Sequence, residues 1–183
     1  MKVLAFSLYF SCLFFYVNTS LGQDYITKGG KVIFLSKAAL SEFTGESEQL
    51  NGLINLDKNL LDFYIDLNTL KTGIGLRDRH MRENYLETKK YPFAEFTGKM
   101  KPMPGSVDGQ KMEVTAIGIF KIHGVEKEIE VKGFLTKINA EQFSLEASFK
   151  VLLGDYKIDI PKVMFYELAE EQEVSITAIL TKN

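Results

Sequence analysis

Phe143-Ser144-Leu145-Glu146-Ala147-Ser148-Phe149-Lys150-Val151-Leu152 is the stretch that decides the fold. Every second residue from Phe143 to Val151 is apolar, and those between are polar or charged. A side-chain period of two marks a strand with one face in a core and the other in water. Strands buried on both faces of a parallel sheet read as apolar throughout, so this pattern belongs to antiparallel sheet. The same period returns in both directions along the chain. Ile129, Val131, Gly133 and Leu135 carry it, as do Val174, Ile176, Ala178 and Leu180, and further back Leu61, Phe63, Ile65 and Leu67. Weaker runs lie at 31–36, 41–47, 49–56, 93–100 and 112–122, which makes eight or nine strands.

Turn chemistry falls between these runs, at Lys58-Asn59, at Pro102–Gly105 with Asp108-Gly109, and at His123-Gly124. Residues 74–90 break the alternation. They are charged, and Met81 and Tyr85 stand four apart on one helical face. This predicts a short helix across one end of the sheet, followed by an extended Tyr91-Pro92. A sheet of this size commonly closes to remove its edges. The expected fold is therefore all-β, an eight-stranded antiparallel β-barrel with a short helix across one end.

Such a barrel is either filled by its own side chains or holds one small ligand. The inward positions mix small residues (Ala116, Gly118, Gly133, Ala147, Ala178) with large ones. Small residues among large ones leave an apolar cavity or offset their neighbours in a packed core, and the pattern alone permits both. In either case Phe34, Phe63, Ile65, Phe96, Val114, Phe120, Val131, Phe149 and Ile176 fall on the inward face. They form the core of a filled barrel or the lining of a hollow one.

Composition narrows the function. The 183 residues suit one domain, and 45% apolar with 25% charged residues is globular composition. Twenty-two basic against 24 acidic residues give a net charge of -2, with no electrostatic footprint for nucleic acid. One Cys, two His and no Trp leave little for thiol catalysis, a Cys-based zinc site or a disulfide scaffold.

Residues 1–22 read as a secretory signal peptide. Lys2 is the positive start, Val3 to Val17 the apolar stretch, and Ser20 and Gly22 the small residues before a cut at Gln23. The apolar run ends at Asn18, short of the roughly 20 residues a span needs. Cleavage would remove Cys12 and leave residues 23–183 as one exported domain, periplasmic or secreted, with no thiol and no membrane span.

Four polar residues are candidates for a rim or head-group site: Arg77, Asp78, His80 and His123. Arg77 presents a fork that suits an anionic head group. His80, His123 and Asp78 would serve as acid, base or metal ligands only if the fold gathered them. Otherwise each histidine hydrogen-bonds backbone at an element's end. Asp155 and Asp159 flank Tyr156, but four residues of spacing is no evidence of a catalytic carboxylate pair. No catalytic residue, metal or cofactor is assigned.

The order Arg77-Asp78-x-His80-Met81, Tyr85-Leu86, Lys90-Tyr91-Pro92, Phe96-x-Gly98 and Ile122-His123-Gly124-Val125-x-Lys127 resembles the YceI-like family over roughly residues 25–181. Asp155-Tyr156-x-Ile158-x-Ile160-Pro161 resembles a variant of its closing segment. The resemblance implies a signal peptide, a lipocalin-like barrel and an elongated apolar tunnel. It also implies a hydrophobic ligand, an isoprenoid lipid such as a prenylated quinone or prenyl phosphate. Some positions depart from the family's usual pattern. Tyr25 and Gly29-Gly30 stand where a Trp and a His-Ser pair are usual. Lys37-Ala38-Ala39 replaces a segment that often carries His. Leu153-Gly154-Asp155-Tyr156 replaces Arg-Ser-Asp-Phe-Gly. The polar groups that would orient a head group are thereby thinned.

Overall fold

A computed structural model describes residues 24–105, 107–160 and 168–183. The proposed signal peptide and Pro161 lie outside the described residues. Eight antiparallel strands run in chain order: β1 (Asp24–Lys37), β2 (Glu42–Asn55), β3 (Leu60–Asp66), β4 (Phe93–Lys101), β5 (Lys111–Ile122), β6 (Val125–Asn139), β7 (Gln142–Leu152) and β8 (Glu171–Lys182). Each pairs with the next, and β8 pairs with β1 to close the barrel.

The count settles at eight because the runs at 41–47 and 49–56 are one strand. Two irregularities in the β1–β2 register, between Thr27 and Gly30 and between Gly30 and Val32, bring Gly30 opposite Leu50 and Val32 opposite Ser47. Lys28-Gly29 on β1 and Glu48-Gln49 on β2 are both consecutive exposed pairs. Each extra residue moves the inward set by one position, as a β-bulge does. On β1 the buried positions pass from Tyr25 and Thr27 to Gly30 and Val32. For this reason β1 starts at Asp24, earlier than its alternation suggests.

The helix forms as α1 (Gly75–His80), which widens into a π turn over Met81–Tyr85. Its placement follows from unequal strand lengths. β3 pairs only with Asn51–Asn55 of β2, which leaves the earlier half of β2 without a neighbour on that side. The β3–β4 connection fills part of the gap. Glu46 and Lys71 exchange two backbone hydrogen bonds of 2.9 Å each. Thr72 donates from its backbone N–H (2.7 Å) and its hydroxyl (2.6 Å) to Asp78 Oδ1. The approach to α1 is thus tied to the helix that follows it.

The β5–β6 hairpin turns on His123 (φ 53°) and Gly124 (φ 73°), the left-handed pair that a two-residue turn needs. At Gly124 an added Cβ would also stand 2.5 Å from the Tyr91 ring. Gly98 and Gly118 face each other across β4 and β5, and a Cβ on either would strike the opposite strand's backbone. Here glycine permits the close strand approach of a barrel corner.

Candidate functional site

The barrel is hollow. It encloses a cavity of about 700 Å³, within the size range of small-molecule sites. The inward residues predicted from alternation all stand on its wall: Phe34, Phe63, Ile65, Phe96, Val114, Phe120, Val131, Phe149 and Ile176. The small residues divide into two groups. Ala116, Gly133 and Ala147 line the space. Gly118 and Ala178 do not: Gly118 serves the β4–β5 approach, and Ala178 packs at Gly30. Of the two roles the pattern permits, these two residues take the second, close packing, and the first three border the cavity.

One end is sealed. Ile54, Met100 and Leu135 form the floor, each nearly inaccessible to solvent. Beneath them Tyr25 meets Phe143 edge-on at 4.7 Å, and its hydroxyl donates to the Ala140 carbonyl (3.1 Å). Tyr25 is therefore a plug. The wall near β8 is closed by Leu153 and Ile158, and Tyr156 packs behind Phe120 at 5.5 Å. Burial, with the nearby Asp155 charge, pushes the Tyr156 phenol above its ordinary range.

The other end opens beside α1. Leu40, Ile74 and Leu76 belong to the cavity wall yet are 77%, 51% and 54% exposed. Large apolar side chains left in water at a cavity rim mark an entrance. Phe43 stands with them, its ring 6.0 Å from Phe34 and covered by the Arg77 guanidinium at 4.1 Å. Sequence reasoning missed Leu40, Ile74 and Leu76 because they lie in strand connections and at a helix start, where no period marks a face.

The four polar candidates separate. Arg77 and His80 lie on the cavity wall. Asp78 does not; it is buried and turned toward Thr72. Burial alone would raise its pKa. The two Thr72 hydrogen bonds, with the charges of Arg82 and Arg77, outweigh that and hold the carboxyl below its usual range. His123 is also off the wall. Its ring nitrogens reach the Tyr156 carbonyl (3.1 Å) and the Glu87 carboxylate (2.8 Å), and its ring meets Tyr91 at 4.8 Å. Asp78 and His123 thus fix structure at the entrance end. The carboxylate of Asp155 pairs with Lys127 at 2.8 Å. Among the described residues no three His, Cys, Asp or Glu side chains gather to hold a metal, and no helix is long and apolar enough to cross a membrane.

Further polar residues stand on the wall, Ser41, Glu95 and Gln172 among them. Gln172, on β8, is buried and shares the inward face with Val174 and Ile176. Extending the β8 alternation one step back from Val174 reaches it, and that was the available signal.

The comparisons agree with this architecture. The sequence model of the YceI-like domain matches residues 26–180. A polyisoprenoid binding domain from Saccharophagus degradans, implicated in plant cell wall breakdown, superposes with a TM-score of 0.78 at 19% identity, covering 88% of this chain and 99% of that one. BcnA of Burkholderia cenocepacia gives 0.70 at 15% identity, covering 82% and 95%. A Campylobacter jejuni YCEI protein gives 0.62 at 21%, covering 80% and 89%. No curated protein sequence matches the chain. At these identities the structural likeness establishes the fold.

Proposed function

The chain belongs to the YceI-like domain family, and from that premise we propose that it is an exported binding protein that holds an isoprenoid lipid inside its barrel. The observation that carries the proposal is the cavity: about 700 Å³, walled almost wholly by apolar side chains, sealed at the Tyr25 end and open between Leu40 and Leu76. A prenyl chain there would gain roughly 0.8 kcal/mol for each CH₂ equivalent removed from water. Ordering the flexible chain offsets part of that gain. Binding on this scale needs no catalytic group. Asp78 and His123 are engaged elsewhere, which favours carriage over acid–base chemistry. The match to a polyisoprenoid binding domain supports the ligand class, and the apolar leader at residues 1–22 supports export.

The test is direct titration. Delipidated protein, residues 23–183, is mixed with tritiated prenyl lipids of increasing chain length. Saturable binding at one chain per barrel is expected, with affinity rising with length until the cavity is full. Absence of binding at any length would overturn the proposal. The His80→Ala variant is expected to fold normally.

A further inference from the structure

Two connections meet at the mouth of the cavity and leave apolar side chains in water. Leu40 comes from the β1–β2 turn, and Ile74 and Leu76 from the approach to α1 and its first turn. Ile74 stands between Gly73 and Gly75, and a Cβ added to either glycine would meet nothing within 4 Å. The segment that carries Ile74 therefore projects from the barrel instead of packing on it. Exposed apolar groups gathered on a rim suit a surface that they can enter.

The charge around them is mostly of one sign. From Lys71 to Arg82 the chain carries four basic side chains, Lys71, Arg77, Arg79 and Arg82, against one acidic, Asp78. The whole sequence has a net charge of -2, so this segment runs against the rest. Asp78 is buried and held by Thr72. The carboxylates of Glu42, Glu46 and Glu87 already face Lys37, Lys31 and His123, at 3.6, 2.7 and 2.8 Å. Glu83, exposed just beyond Arg82, is the acid that remains on this connection. Among the described residues none of the four basic side chains is in a salt bridge.

Building on the lipid-binding reading above, we propose that the mouth of the barrel docks on an anionic lipid bilayer. Leu40, Ile74 and Leu76 enter its apolar layer, and Lys71, Arg79 and Arg82 lie at the level of its head groups. The chemistry of the cargo favours a bilayer over a protein partner. An isoprenoid chain that crosses water exposes its whole apolar surface. A mouth laid on the bilayer lets the chain pass from one apolar phase to the other without that exposure. Each basic residue near such a surface strengthens binding roughly fivefold, and salt screens the attraction.

The sequence has no Trp, so a single introduced indole reports on its own surroundings. Leu40→Trp places it at the mouth and Val107→Trp in the β4–β5 connection at the sealed end, both at exposed positions. The protein is used without residues 1–22, because an apolar leader enters lipid by itself. It is mixed with vesicles of phosphatidylglycerol and phosphatidylcholine in equal parts, or of phosphatidylcholine alone, with brominated acyl chains as quencher. Co-sedimentation with the anionic vesicles is expected to be stronger on the order of tenfold, and to weaken with salt. Quenching is expected in Leu40→Trp and not in Val107→Trp. Arg79→Glu reverses two charge units and should weaken vesicle binding about 25-fold with Tm unchanged. Equal binding to both vesicles, quenching in Val107→Trp, or quenching in Leu40→Trp that added Arg79→Glu leaves intact would overturn the proposal. So would a rim covered by a second copy, read as a dimer in sedimentation without vesicles. Failure to bind either vesicle would overturn docking alone, because uptake of prenyl lipid is read separately, without vesicles, in the titration above.

Discussion

Replacing Ala116 by phenylalanine tests whether the space inside the barrel is real. Ala116 sits on β5 between Met100 of β4 and Val131 of β6, and its side chain lines the cavity. A phenyl ring added to a hollow wall moves into empty space. Burying it is worth roughly 1.5–3 kcal/mol, less about 1 kcal/mol for its lost rotamer freedom. The ligand-free variant should therefore be more stable than wild type by about 1 kcal/mol. For a chain of this size that raises Tm by roughly 2–4 °C. The same ring occupies room that a prenyl chain would use. If it displaces three or four CH₂ equivalents, the lipid loses about 3 kcal/mol, or roughly a hundredfold in affinity. Urea unfolding of delipidated protein gives the first quantity and titration with a tritiated prenyl lipid the second. In a filled barrel the signs reverse, because overpacking costs about 1–3 kcal/mol. A destabilised Ala116→Phe with unaltered lipid binding would refute the reasoning.

Other substitutions probe the frame around the cavity. The depressed Asp78 pKa stabilises the fold above the ordinary carboxylate value and is lost as pH falls through the folded value, below about 4. Asp78→Asn should cost roughly 1–3 kcal/mol at neutral pH and flatten that acid limb in urea midpoints taken between pH 2 and 6; an unchanged limb would contradict the assignment. His123→Ala should cost about 1–2 kcal/mol, through the lost Tyr156 and Glu87 bonds, while lipid affinity stays within twofold. A selective loss of binding would place His123 in the site instead. Gly118→Ala drives a methyl into the Thr97 carbonyl and should cost more than about 2 kcal/mol, read from thermal unfolding. An unaffected Tm would mean that the β4–β5 corner yields.

The barrel was legible because alternation survives wherever one face is wet. β5 to β8 could be read almost residue by residue, and so could the nine apolar wall positions. The β1–β2 bulges hid the rest. Two exposed residues in succession at Lys28-Gly29 and again at Glu48-Gln49 reset the phase, so a continuous strand reads as two short ones. Hollowness was not legible either, because alanine and glycine on an inward face have the same spelling in both outcomes. Gly98 and Gly118 spend their missing Cβ on a strand approach, while Gly133 and Ala147 also border open space. The polar candidates were chosen as residue types with chemistry to offer. What each does is decided by partners distant in sequence: Thr72 claims Asp78, and Tyr156 with Glu87 claims His123. Gln172 drew no attention as a type, and only its buried, unpartnered oxygen marks it.

The central claim is that the barrel carries a lipid, and native mass spectrometry of the protein purified from its own host, followed by organic extraction, meets it most directly. The account predicts a stoichiometric adduct of several hundred daltons that extraction releases as a prenyl lipid. A bare polypeptide mass, together with failure to take up added isoprenoids, would contradict it.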